Sequence, residues 1–349
     1  MSSGVVLTIQ AGTIIKGTEG TGSLASALIV AKGGKLNATG TATEPIIFTS
    51  INDNITVGQT SGTNLDETNS GLWGGLIVLG NAPCSFSGDV EVLQIEGIPA
   101  DDTFGLYGGS DAADDSGVYQ YISIRHGGAL IGEGNEINGL TLGGVGSGTV
   151  IENIEVVGNV DDGIEFFGGT VNASNLLIWA QGDDALDIDQ AYSGTINNAV
   201  VILGANSDHA FEIDGPEGAA TGSFTLNNVT IIGNSVTEDG EYADYRSGAM
   251  GSTENIYAYG FKETSDVELD NDGVATNYNN GLLTFGAWEI VLPSGVSDVA
   301  SIFVNKASAV EVSGFGSTAT AVTEGVNTVG ATTSLLSWTY ANSKAGLGF

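Results

Sequence analysis

Apolar and polar positions alternate with a period of two in short runs that recur along the chain. Ile164 and Phe166 are separated by Glu165, Leu186 and Ile188 by Asp187, and Phe211 and Ile213 by Glu212. The segments around them superimpose residue for residue: Val160-Asp161-Asp162-Gly163, Gly182-Asp183-Asp184-Ala185 and Ser207-Asp208-His209-Ala210 precede these runs. Period-two alternation is the mark of a strand with one face buried. Its recurrence at roughly the length of one solenoid coil predicts stacked coils. Stacking places Glu165, Asp187 and Glu212 in one outward column, with Asp189 and Asp214 in a second beside it. Ala243-Asp244-Tyr245-Arg246 and Val267-Glu268-Leu269-Asp270 fit the same register and place Arg246 between Asp214 and Asp270, whereas Leu140-Thr141-Leu142-Gly143 fits it without acids.

A second repeat runs in parallel. Asn153, Asn175, Asn198, Asn228 and Asn255 each open an apolar run, so each coil carries at least two strands. Asn at equivalent turns can bond to its copies above and below, which is a structural role. Strands are also predicted at Val5 to Ile15, Ala27 to Ala38, Pro45 to Ser50, Trp73 to Leu79 and Val118 to Arg125. Long loops are expected from Asn52 to Ser70 and from Ile98 to Ser116, the latter carrying Asp101, Asp102, Asp111, Asp114 and Asp115. No helical periodicity of useful length appears. The expected architecture is all-β: a parallel β-helix in a single elongated domain over 1–349, with opening coils at 1–50, regular coils at 118–290 and C-terminal coils or a cap at 291–349.

Composition sharpens this picture. The chain has 349 residues, of which 54 are Gly and 41% are hydrophobic, enough to bury a large core and unlike a disordered acidic tail. A formal charge of -34 repels nucleic acid and anionic membranes and makes divalent cations the natural partners. Cys84 alone forms no internal disulfide, and His126 and His209 are too far apart for a local zinc motif. His126 and Trp179 are read as structural. No apolar run reaches membrane-spanning length, and the N-terminus shows no signal-peptide pattern. An extracellular or outer-surface location is expected from the acidic, lysine-poor composition.

The opening phrases Leu7-Thr8-Ile9-Gln10-Ala11-Gly12-Thr13 and Ala27 to Leu36, with Pro45 to Ser50, Gly71-Leu72-Trp73-Gly74-Gly75-Leu76 and Asp162-Gly163-Ile164-Glu165-Phe166-Phe167-Gly168-Gly169, carry a family likeness. They resemble right-handed parallel β-helix proteins of bacterial surfaces, lipoproteins and secreted proteins of Bacteroidetes and marine proteobacteria without an agreed activity. A second set of motifs is similar to polygalacturonase-type glycoside hydrolases. These carry Asn-Thr-Asp, Gly-Asp-Asp, Gly-His-Gly and Arg-Ile-Lys on successive coils. Here Asn159-Val160-Asp161, Gly182-Asp183-Asp184, Ser207-Asp208-His209 and Tyr245-Arg246-Ser247 follow in that order, without the final lysine or the glycines beside the histidine.

Neighbouring carboxylates on stacked strands repel, and bound Ca²⁺, raised pKa values or salt can compensate. Asp187, Asp189, Glu212 and Asp214, with Glu165, Glu268 and Asp270, are the expected calcium ligands. The leading expectation is a non-catalytic surface structural, adhesive or matrix protein with a calcium-organised acidic face, able to associate end to end with itself or with surface polysaccharide. Both termini, including Leu335 to Tyr340, are expected as contact surfaces. The alternative is a polysaccharide hydrolase or lyase using Asp161, Asp183, Asp184, His209 and Arg246.

Overall fold

The computed structural model describes residues 1–96, 98, 102–130, 137–237 and 240–349. Asp101 of the predicted acidic loop lies outside the described residues. Nearly every strand pairs in parallel with its equivalent one coil away. A 13-stranded sheet and a 9-stranded sheet run the length of a right-handed parallel β-helix. The longer sheet includes Gly117–Arg125, Val150–Val157, Asn172–Trp179, Thr195–Ile202, Phe224–Ile232 and Gly251–Tyr259. The shorter sheet includes Leu76–Leu79, Leu140–Gly143, Ile164–Phe167, Leu186–Asp189, Phe211–Ile213, Ala243–Tyr245 and Val267–Leu269.

Inward positions form unbroken columns. Ile122, Ile154, Leu176, Ala199, Val229, Ile256 and Trp288 follow one another in register, all essentially inaccessible to water. Each large side chain in such a column contributes about 1.5–3 kcal/mol by burial. The repeated Asn residues sit at positive φ, from 56° at Asn175 to 64° at Asn198, in the left-handed bend that Asn tolerates. Their bonding is less regular than a simple ladder. Asn198 Nδ2 donates to Asn175 Oδ1 at 2.8 Å, but Asn228 and Asn255 donate to Asn197 and Asn227, one residue aside.

The predicted first-half strands are interrupted by turns, giving Val6–Ile9 and Ile14–Gly17, then Leu28–Val30 and Lys35–Thr39. The loop read as 98–116 contains a 3₁₀ turn at Thr103–Gly105 and a short strand, Leu106–Tyr107, antiparallel to Leu93–Gln94. Two α-helices were not expected, Asp272–Asn279 and Tyr340–Ala345. The first is capped by Asn271, whose side chain accepts from the N–H groups of Gly273 and Val274.

The C-terminal segment departs most from expectation, because Leu335 to Tyr340 forms neither a strand nor an end cap. It is a strap that returns along the outer face of the longer sheet. The Thr328 hydroxyl donates to Glu289, Ala331 N–H to Thr230, Thr332 N–H to Asn198 and Ala341 N–H to Glu155, so each contact lies further back toward the N-terminal coils. Leu336, Tyr340 and Ala341 cover outward-facing Val157, Leu177, Trp179, Val200 and Ile202. At the other end, the exposed strand Val6–Ile9 pairs with Lys35–Thr39 on one edge.

Candidate carboxylate site

The outer face of the shorter sheet is divided in two. Over the first coils it is apolar: Ile77, Leu79 and Phe167 are covered by Phe86, Ile95 and Tyr107 from the long excursion between Leu79 and Gly117. From Glu165 onward it is acidic. Strand register places Glu165 opposite Asp187, Asp187 opposite Glu212, Glu212 opposite Asp244 and Asp244 opposite Glu268. Ionised neighbours about 4.8 Å apart repel by about 3–4 kcal/mol at an effective dielectric of 20. The column needs compensation.

Part of that compensation is in the chain itself. Arg246 contacts both Glu212 and Asp214, at 2.6 Å for the latter, and Lys306 contacts Glu268. Arg246 is held charged: burial disfavours its cation, but the hydrogen bond to Asp214 and the charge of Glu212 outweigh it. Among the described residues, the upper end of the column has no such cation nearby. Glu165 takes one hydrogen bond, from Asn138, and its carboxylate lies within 4.8 Å of oxygens from Asp162 and Asp187. Burial, and then mutual repulsion, raises the pKa of all three well above the ordinary range. Burial and Asp214 bring Asp189 to about 7, and burial brings Asp244 to about 6. Oδ1 atoms of Asp187, Asp214 and Asp244 are buried without a hydrogen-bond partner. A recess of about 480 Å³ beside the second column is lined by Asp189, Asp214 and Glu217.

A second arrangement lies at the turn that leads into these strands. Equivalent positions on successive coils bring Asp183, Asp184 and Asp208 together, with one oxygen of each within 4.8 Å of the others. Asp161 and Asp162 stand in the same relation to Asp183. The close stacking depends on Gly182, where an added Cβ would collide with the carbonyl oxygen of Val160. Buried Asp184 accepts the backbone N–H of His209 at 2.7 Å and lies 2.9 Å from its Nδ1. Burial alone would lower the His209 pKa, but that hydrogen bond and the charges of Asp184, Asp208 and Glu212 raise it to about 9. The imidazolium lies 3.7 Å from Asp208. Asp183 faces solvent, yet partial burial of its carboxyl and the charges of Asp184 and Asp208 raise its pKa to about 6.

The sequence reading located much of this face. Glu165, Asp187 and Glu212 share a column, and Asp189 and Asp214 lie in the next one. Asp161, Asp183, Asp184 and His209 converge at one turn. Arg246 occupies the coil between Asp214 and Asp270 by its backbone bonds, but its side chain turns to Glu212 and Asp214, and Asp270 remains exposed. Glu241, Asp266 and Lys306, which stand outside the recurring motif, extend the wall. Their coils are separated by longer loops that break the alignment. His126 is structural, its Nδ1 2.8 Å from the Asn69 carbonyl oxygen. Trp179 faces outward under the strap and not into the core columns.

A family model described as a pectate-lyase-like beta helix domain matches residues 1–342. No curated protein and no solved structure matches the chain.

Proposed function

Since this chain belongs to the pectate-lyase-like beta-helix family, we propose that it hydrolyses a polysaccharide at the turn formed by Asp183, Asp184, Asp208 and His209. The observation that carries this reading is the division of roles within one cluster. Asp183 is exposed and has a pKa near 6, so it holds a proton in mildly acidic medium. Asp208 lies 3.7 Å from Nδ1 of His209, whose cation is held by its carboxylate neighbours. Glycoside hydrolysis needs one protonated acid and one carboxylate acting as base or nucleophile, set apart by their environments. Asp183 donates the proton to the leaving oxygen while Asp208 attacks the anomeric carbon, and water deprotonated by Asp183 then cleaves the glycosyl–Asp208 bond, the retaining course that the short carboxyl separation favours. Asp184 orients His209, and Asp161 adjoins Asp183 from the preceding coil.

Elimination is the weaker chemistry here. A lyase needs a base, and Arg246 is committed to Glu212 and Asp214 in its charged form. The test is release of reducing ends from a panel of neutral and acidic polysaccharides, with Asp183→Asn as control. Hydrolysis lost in the variant supports the assignment, and absence of turnover across the panel rejects it.

A different observation favours a calcium-binding role for the adjacent column, consistent with an extracellular surface location. Oδ1 of Asp187, Asp214 and Asp244 is buried with no hydrogen-bond partner, and the group Asp162, Glu165 and Asp187 offers converging hard oxygens, the donor type that suits Ca²⁺. Ca²⁺ held there would neutralise the repulsion between coils. Such a face is also what a cation-organised surface or matrix protein requires, and that reading gains ground if the hydrolysis assay is negative while Ca²⁺ binds.

A further inference from the structure

A cavity of about 450 Å³ is lined by Asn159, Val160, Gln181 and Gly182, from the same coils as the turn cluster. This is within the range of small-molecule sites, about 300–1,000 Å³. Val160 and Gly182 line it, and the next residue of each is Asp161 or Asp183. The cavity therefore borders the backbone that carries the acids assigned to catalysis. Its wall combines an aromatic ring with amides and a hydroxyl: Trp179, Gln181, Asn206, Asn234 and Ser70. Gln181 is 1% exposed, and its amide oxygen has no hydrogen-bond partner, although its Nε2 donates to the backbone carbonyl oxygen of Asp183. The unpaired acceptor is an acceptor that a ligand hydroxyl can satisfy.

The charge of the lining narrows the ligand. No Lys, Arg or His is among the described lining residues, and the one charged side chain is that of Glu67. A uronate carboxylate placed here would meet Glu67 with no cation among the described lining residues to offset it. A neutral sugar meets no such penalty. Its hydroxyl groups match the amides, and its C–H groups meet the part of Trp179 that borders the cavity.

We infer that this cavity is a subsite for a neutral sugar unit, so that the polysaccharide cut at Asp183 carries an uncharged residue there and not a uronate. The inference rests on the hydrolase reading for the role of the subsite, but its binding test does not depend on turnover. Ala205, an exposed lining residue, allows the cavity to be filled by Ala205→Trp without disturbing a core position.

The experiment is calorimetric titration of the full chain and of Asp183→Asn with cellohexaose, xylohexaose, mannohexaose, galactohexaose and hexagalacturonate. At least one neutral hexasaccharide is expected to saturate, with affinity at least tenfold above that for hexagalacturonate. Ala205→Trp should weaken it at least tenfold while its thermal midpoint stays at the wild-type value, and Asn206→Ala should weaken it several-fold. Equal or tighter binding of hexagalacturonate overturns the inference, as does neutral-sugar binding indifferent to Ala205→Trp, or no saturation with any neutral hexasaccharide. Binding without hydrolysis would reject the catalytic reading and leave the subsite standing. Hydrolysis unaffected by Ala205→Trp would do the reverse.

Discussion

Asp184 and His209 are joined twice across adjacent coils: the Asp184 carboxylate accepts the His209 backbone N–H at 2.7 Å and lies 2.9 Å from its Nδ1. The pair fixes the turn that carries Asp183 and Asp208. Removing the imidazole strands a buried carboxylate, which costs about 3–5 kcal/mol when a buried ion pair loses one partner. His209→Ala is therefore expected to lose about 3 kcal/mol in urea unfolding, and His209→Ala/Asp184→Ala to lose less than the sum of the single changes. Additive losses would show that the two do not act as a unit.

The pH dependence of stability follows from the carboxylate column. Asp244 and Asp189 have folded pKa values of about 6 and about 7, above the ordinary value of about 3.9. The folded state then binds more protons than the unfolded state between these values, so stability falls as pH rises. In chelator, the melting temperature should be highest near pH 4 and decline through pH 7. His209 adds to the decline at higher pH, since its folded pKa of about 9 lies above its unfolded value. A melting temperature that rises over pH 4–7 in chelator would contradict the burial of these carboxylates.

Calcium should reverse that decline. A ligand bound only by the folded state stabilises it by mass action, by about 2.7 kcal/mol at one hundred times its dissociation constant. Added Ca²⁺ should raise the melting temperature at pH 7.5, and Asp187→Asn with Asp244→Asn should remove the response. Sodium at equal ionic strength giving the same rise would reduce the column to a screened acidic face.

Glu155 anchors the C-terminal strap and also faces buried Arg125: its carboxylate accepts from Ala341 N–H at 2.8 Å and from the Ser123 hydroxyl at 2.5 Å, and lies 3.8 Å from Arg125. The Arg125 guanidinium in turn sits 4.3 Å from the centre of the Tyr340 ring. Glu155→Ala leaves that cation uncompensated and should cost about 3–5 kcal/mol. Removing residues 323–349 should expose Leu177 and Val200 and produce binding of a hydrophobic dye. An undisturbed melting curve in both variants would show that the strap contributes nothing.

What could be read from the sequence followed the repeat. Residues such as Glu165, Asp187 and Glu212 recur at fixed offsets from inward Ile, Phe and Leu, so their stacking is legible in the sequence. The strap was not, because Leu335, Leu336 and Trp338 match an apolar strand as well as a helix that packs on an outer face. Nothing local announces that Val157, Leu177 and Val200 face outward and need a cover. The cavity beside Trp179 was likewise hidden, since it is assembled from Ser70, Gln181, Asn206 and Asn234, which share no pattern along the chain.

The catalytic reading is tested most directly by the pH profile of reducing-end release from neutral polysaccharides, measured for the wild-type chain and Asp183→Asn. Release should fall as pH rises through about 6, where Asp183 loses its proton, and Asp183→Asn should lose about 10²–10⁴-fold, the usual contribution of a general acid. No release at any pH, or release unchanged in Asp183→Asn, would contradict the assignment.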